Sequence, residues 1–350
     1  MSLWKTLQHR TFFWTFVLLA AYLVYIYPIQ RLTDWLNYPA LLNLPTIVGL
    51  WLLVTAVLRL SFRSSSRKLE LILYNWMGIG FVFFCLCFIY ELLRLGLALD
   101  DYWAGIGILI AGACITIFAL ATAQRLSCKQ LEFRDPKLTG KYRLVQISDV
   151  HIGSRSVGFL RSVVETINTQ NPNLIVITGD FLDAKRVQAE DIAPLKNLKA
   201  PVYFSIGNHE RYAGLDWVIP LLEDAGVVVL RSQAVKVGEL QVIGIDDAED
   251  EDQVKRELST IELDPECFKI LLYHRPLGWE SAVASGINLM LSGHTHNGQI
   301  FPFNLLVRQQ FKRIRGLYTQ SNSHLYVSPG TGTWGPAMRL GSCNEITCID

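Results

Sequence analysis

Five of the seven histidines in this 350-residue chain, His151, His209, His274, His294 and His296, follow short apolar runs and stand near Asp149, Asp180 and Asn208 in the order of the chain. Imidazole, carboxylate and carboxamide are ligand types of a divalent metal site. A mixed set without thiolate suits Mn²⁺, Fe or Zn²⁺ better than Ca²⁺. A lone histidine is more often structural, and His324 is read that way, but scattered surface histidines have no reason to fall after successive strands. The group therefore points to one metal centre. The seven cysteines show no metal-type Cys-X-X-Cys spacing and read as reduced structural thiols.

The elements that must position these residues are short and apolar. Tyr142–Ser148 and Leu174–Thr178 read as strands around a helical pattern over Val157–Thr169. Val202–Ile206, Val227–Leu230, Glu239–Ile245, Lys269–Tyr273 and Leu289–Ser292 repeat the strand pattern, with a helix expected over Trp217–Ala225. In open α/β sheets the loops leaving strand carboxyl ends form the ligand crevice, and the polar residues fall there.

Spaced as Asp149-Val-His151, Gly179-Asp180-Phe-Leu-Asp183, Gly207-Asn208-His209-Glu210, His274 and Gly293-His294-Thr-His296, these blocks resemble the calcineurin-like metallophosphoesterase superfamily over about residues 141–350. The resemblance implies that Asp149, His151, Asp180 and His296 hold one metal and that Asp180, Asn208, His274 and His294 hold a second. It also implies that His209 faces the phosphate as general acid or electrostatic stabiliser and that Asp183 orients it. The alternative for Asp183 is an ordinary turn carboxylate. Two such cations can clamp a phosphate and activate a water. Gly179, Gly207 and Gly293 are expected to permit tight strand-to-loop turns.

Around the blocks, Arg275 stands beside His274 and could reach a substrate phosphate or form a salt bridge. Arg339 lies in Thr331–Arg339, a segment similar to the closing segment of membrane-associated bacterial members, and could line the pocket. The acidic run Asp246–Asp252 reads as a solvated turn. Phe301–Arg315 mixes apolar residues with Lys312, Arg313 and Arg315, a composition that suits an anionic lipid interface or an ordinary cap on the sheet.

The first 124 residues hold the long apolar stretches: about Phe12–Tyr27, Leu41–Leu60, Ile72–Leu93 and Tyr102–Ala123. Each approaches the roughly 20 residues that a membrane-crossing helix needs. The expected architecture is an N-terminal four-helix transmembrane bundle (1–124), a linker (125–140) and a C-terminal α/β metallophosphoesterase domain (141–350), a sheet sandwich flanked by helices. Lys and Arg concentrate before the first stretch, between the second and third, and after the fourth, which places the catalytic domain in the cytoplasm; the resemblance to membrane-associated bacterial members implies a bacterial inner membrane. Gly105, Gly107 and Gly112 suggest close helix packing, within the bundle or in an oligomer. The net charge of +1 points to no nucleic-acid partner.

The function expected is hydrolysis of a phosphodiester, phosphomonoester or pyrophosphate, with a membrane-borne substrate such as a phospholipid or lipid-linked nucleotide sugar. The alternative is a membrane receptor or scaffold whose phosphoesterase-like domain only binds. A complete ligand set argues against that alternative.

Overall fold

The computed structural model describes residues 15, 17–38, 43–61, 67–183 and 187–350. The chain divides into two compact units between Leu120 and Ala121, with Gly335–Ala337 grouped in the first.

Helices of the first unit cover Tyr27–Trp35, Leu44–Ser61, Arg67–Leu93 and Asp101–Thr122. Among the described residues, two of them, Arg67–Leu93 and Asp101–Thr122, are long and apolar enough to cross a membrane. The apolar part of the second expected span, Leu44–Val57, is shorter, and the expected span Phe12–Tyr27 falls partly outside the described residues. Gly105 and Gly112 of Asp101–Thr122 serve helix packing inside the unit. A Cβ on Gly112 would strike the Phe83 ring, and one on Gly105 would sit 3.2 Å from Leu36, while Gly107 meets nothing within 4 Å. Polar residues gather near one end of these helices. Arg31 pairs with Glu91, Arg94 with Asp101 at 3.0 Å, and the Tyr90 hydroxyl donates to Asp101 Oδ1 at 2.6 Å.

The second unit is built from strands β1 (Leu126–Leu131), β2 (Leu144–Ile147), β3 (Leu174–Thr178), β4 (Val202–Ser205), β5 (Val227–Leu230), β6 (Gln233–Val237), β7 (Leu240–Gly244), β8 (Phe268–Leu272), β9 (Leu289–Ser292), β10 (Gly316–Gln320), β11 (Ser323–Val327) and β12 (Asn344–Ile349). They form two six-stranded sheets, ordered β1-β12-β2-β3-β4-β5 and β10-β11-β9-β8-β7-β6. Strands β2 to β5 are mutually parallel, as are β7, β8, β9 and β11.

Strand β3 shows why the apolar runs are continuous. Leu174 and Val176 join the core between the sheets with Val242, Ile270, Leu272 and Leu291. Ile175 and Ile177 point the other way, against Leu160, Val163 and Ile167 of the helix Val157–Thr169. A parallel strand covered on both faces needs no polar alternation. The outer face of the second sheet buries Ile243, Leu271 and Met290 against Val254, Leu258 and Trp279, completing a helix, sheet, sheet, helix sandwich. The helix Val157–Thr169 begins at Ser156, whose Oγ accepts from the Phe159 amide at 3.2 Å.

The stretch 125–140, expected as a linker, contains β1, an edge strand running parallel to β12 with Leu126 opposite Asn344.

Candidate metal centre

Asp149 and His151 leave β2, Asp180 and Asp183 leave β3, and Asn208 and His209 leave β4, all in the first sheet. His274 leaves β8, and His294 and His296 leave β9, in the second. Two groups of ligand atoms result, Asp149/His151/His296 and Asp180/His274/His294, each with its atoms within 4.8 Å of one another. In the first, His151 Nε2 and His296 Nε2 are 3.0 Å apart and Asp149 Oδ1 is 3.4 Å from His296 Nε2. In the second, His274 Nε2 is 3.0 Å from Asp180 Oδ2 and 3.1 Å from His294 Nδ1. A third group, His151/Asp183/His209, adjoins the first.

The backbone is bent to make this possible. Asp149, His151, Asp180, His294 and His296 all have positive φ, between 48° and 71°, a region that non-glycine residues rarely occupy. Hydrogen bonds hold them there: the Asp149 amide donates to Gly179 O and the His151 amide to Asp180 O, each at 3.1 Å. Gly179 is itself left-handed at φ 78°. Gly293 is required by proximity instead, since a Cβ there would fall on Ser148 Oγ and Asp149 Oδ2.

Burial disfavours charge on every group here, and the neighbours decide the outcome. Burial holds the Asp149 carboxyl above its usual range. It would raise Asp180 as well, but the His274, His209 and His151 imidazoles hold that carboxyl well below. His151 and His209 do the same for Asp183 against its burial. Burial works against protonated His209 and His274, yet Asp183 with Asp180 pushes His209 up to about 9, and Asp180 pushes His274 up to about 10. His294 and His296 go the other way, held well below the usual range by burial and then by neighbouring His274 and His151 respectively.

A family model for calcineurin-like phosphoesterases matches residues 142–298. An uncharacterized metallophosphoesterase of Aquifex aeolicus is 32% identical over 229 residues, 61% of this chain and 86% of the relative. The chain belongs to the metallophosphoesterase family. A Campylobacter jejuni metallophosphoesterase is 32% identical over 63% of this chain, which spans 62% of that relative's length. A Danio rerio transmembrane protein with metallophosphoesterase domain is 34% identical, with 61% of this chain and 54% of the relative covered.

In this chain the residue that sequence reasoning passed over is Glu210. It is fully buried, and its carboxylate accepts from the backbone amides of Asp180, Phe181, Leu182 and Gly207 at 2.8–3.0 Å. The loop after β3 is thus tied to the loop after β4 by one side chain. The available signal was an acid four residues into a loop that otherwise carries ligand types.

Asp183 holds more than His209. Its Oδ1 takes His209 Nδ1 at 3.0 Å and also makes a short contact with His151 Nδ1. On the other sheet, His274 Nδ1 lies 2.8 Å from Thr178 O, which orients that ring by a backbone carbonyl.

The two arginines expected near substrate are engaged elsewhere. Arg275 is buried, with Nε 2.8 Å from Asp247 Oδ1 and Nη2 3.2 Å from Glu249. Arg339 is fully buried and donates to the carbonyls of His296, Pro329 and Gly330 and to Asn344 Oδ1, so it clamps loops and does not line a pocket. The acidic run is likewise not one solvated turn. Asp247 is buried on Arg275, Asp246 is bonded to Arg231, and only beyond them does the run face solvent.

Proposed function

We propose that this chain hydrolyses a phosphoester with two divalent cations. Asp149, His151, Asp180 and His296 would hold one, and Asp180, Asn208, His274 and His294 the other. The observation that carries this reading is the Asn208 side-chain oxygen, which is buried and has no hydrogen-bond partner among the described residues. A buried carbonyl-type oxygen without a donor is costly, and a cation answers it. The imidazole and carboxylate atoms grouped on either side of Asp149 and Asp180 are the donor set that Mn²⁺, Fe or Zn²⁺ accept.

When bound, the cations supply charge that polarises the phosphoryl group and a nucleophile at neutral pH. The chain supplies the proton. His209 donates from Nδ1 to Asp183, which leaves Nε2, 3.9 Å from Asp180 Oδ2, directed at the site. Protonated up to about pH 9, it can give its proton to the departing oxygen.

The finer reading is a multi-pass protein of a bacterial inner membrane, with the catalytic domain cytoplasmic and the phosphoester carried by a lipid. The two long apolar helices and the similarity to a transmembrane protein with a metallophosphoesterase domain support it, as does the distribution of Lys and Arg around the apolar stretches.

With Mn²⁺, the purified full chain should hydrolyse a chromogenic phosphodiester, and Asp180→Ala should abolish turnover and lower bound metal. Retained activity in that variant would sink the two-metal reading. Equal efficiency on lipid-linked and soluble phosphodiesters in micelles would remove the lipid arm alone.

A further inference from the structure

The helix Asn304–Gln310 starts six residues after the last turn of the candidate centre, His296–Gly298, and has no buried residue. It is nonetheless held in place at both ends. The Phe301 amide donates to Leu340 O at 2.9 Å, and downstream Phe311 and Ile314 are buried, with Ile314 O accepting from Thr295 Oγ1 at 2.6 Å. Between these anchors Phe301, Leu305 and Leu306 remain 54%, 55% and 57% exposed. Single exposed apolar residues are ordinary, but several within one short anchored segment form a patch that calls for an occupant.

The charges around the patch decide which occupant. From Ser281 to Asn344 the sequence contains no Asp or Glu. Arg308, Lys312 and Arg315 are exposed and make no ion pair among the described residues, while Arg313 is paired with Glu280 at 2.9 Å. Phe301 ahead of a helix that carries Leu305 and Leu306, flanked by three unpaired cations with Glu280 on Arg313 the neighbouring acid, is the composition of an interfacial segment. A protein partner's recognition surface would be expected to carry a mixed polar rim.

We propose that the surface formed by Phe301, Leu305 and Leu306 with Arg308, Lys312 and Arg315 docks on an anionic lipid surface. The apolar side chains enter the headgroup boundary and the cations meet lipid phosphates. Phe311, whose ring is 5.2 Å from that of His294, connects this surface to the candidate centre. The proposal concerns where the domain sits and stands whether or not the centre hydrolyses phosphoesters.

The test is amide hydrogen exchange on the full chain in nanodiscs of phosphatidylcholine alone or of phosphatidylcholine with phosphatidylglycerol. Exchange over residues 301–315 should slow by about tenfold with the anionic lipid. Added salt should reverse most of that protection. Leu305→Ser with Leu306→Ser should abolish it, while protection of β2, β3 and β9 and turnover of a soluble phosphodiester stay unchanged. Should that variant fail to fold, the lipid and salt comparisons on the unaltered chain decide. Equal exchange in the two lipid compositions overturns the proposal, as does protection in phosphatidylcholine alone, which would point to a different occupant.

Discussion

The two sheets contribute unlike chemistry to one centre. The first supplies every carboxylate in it, Asp149, Asp180, Asp183 and the brace Glu210, together with Asn208, His151 and His209. The second supplies imidazoles alone, His274, His294 and His296. The carboxylates set the protonation of both sides: Asp180 raises His274 from across the sandwich, while His294 and His296 stay neutral by burial and by repulsion from their neighbours. The first sheet is therefore the electrostatic side of the centre, and the second brings to it two neutral imidazoles, His294 and His296, and one, His274, whose proton Asp180 holds.

The sharpest way to break that division is His209→Ala. If the first sheet provides the acid as well as ligands, kcat should fall by about 10²–10⁴, while metal content is retained. Loss of metal with His209 would make it a ligand-positioning group instead. Asp183→Asn comes next, because it alters support to both His151 and His209. A decrease of about 10–100-fold in metal affinity or turnover is expected, read by metal titration beside steady-state kinetics.

Glu210→Gln tests the brace. The carboxamide would turn donors toward backbone amides that now have acceptors, costing about 1–3 kcal/mol, measured by denaturation of the full chain. An unchanged midpoint would mean that the β3 and β4 loops hold themselves.

The smallest effect is in pH. His209 and His274 have folded values above their unfolded ones, so with chelator their contribution is complete below about 6.5. It is lost as pH rises through about 9 for His209 and about 10 for His274. His294 and His296 are depressed, so theirs is present above about 6.5 and lost on acidification. Melting temperatures of chelated protein should fall in both directions. His209→Gln should flatten only the alkaline limb.

Much of this was legible because β3 is buried along its whole length, which makes Leu174–Thr178 readable as an unbroken apolar run with the observed ends; Val227–Leu230 is an equally unbroken apolar run, although Val228 is exposed. The ligand blocks follow from their position at strand ends. What escaped is long-range. Strand β1, Leu-Ser-Cys-Lys-Gln-Leu, is largely exposed and acquires its identity only by pairing with residues 344–349. Arg339 resembles a pocket cation until its carbonyl acceptors, drawn from loops remote in sequence, are known. The dual grip of Asp183 also depends on two loops meeting.

The positive φ angles at Asp149, His151, Asp180, His294 and His296 bear on how this domain could be engineered. Each is a conformation that glycine adopts freely and that an aspartate or histidine adopts at a cost of order 1–3 kcal/mol. Exchanging such a ligand for glycine relieves that backbone cost, while exchanging it for alanine does not. A screen for thermostability would thus be drawn toward glycine at the very positions where it ends function, and selection for robustness alone would erode this domain from its centre outward.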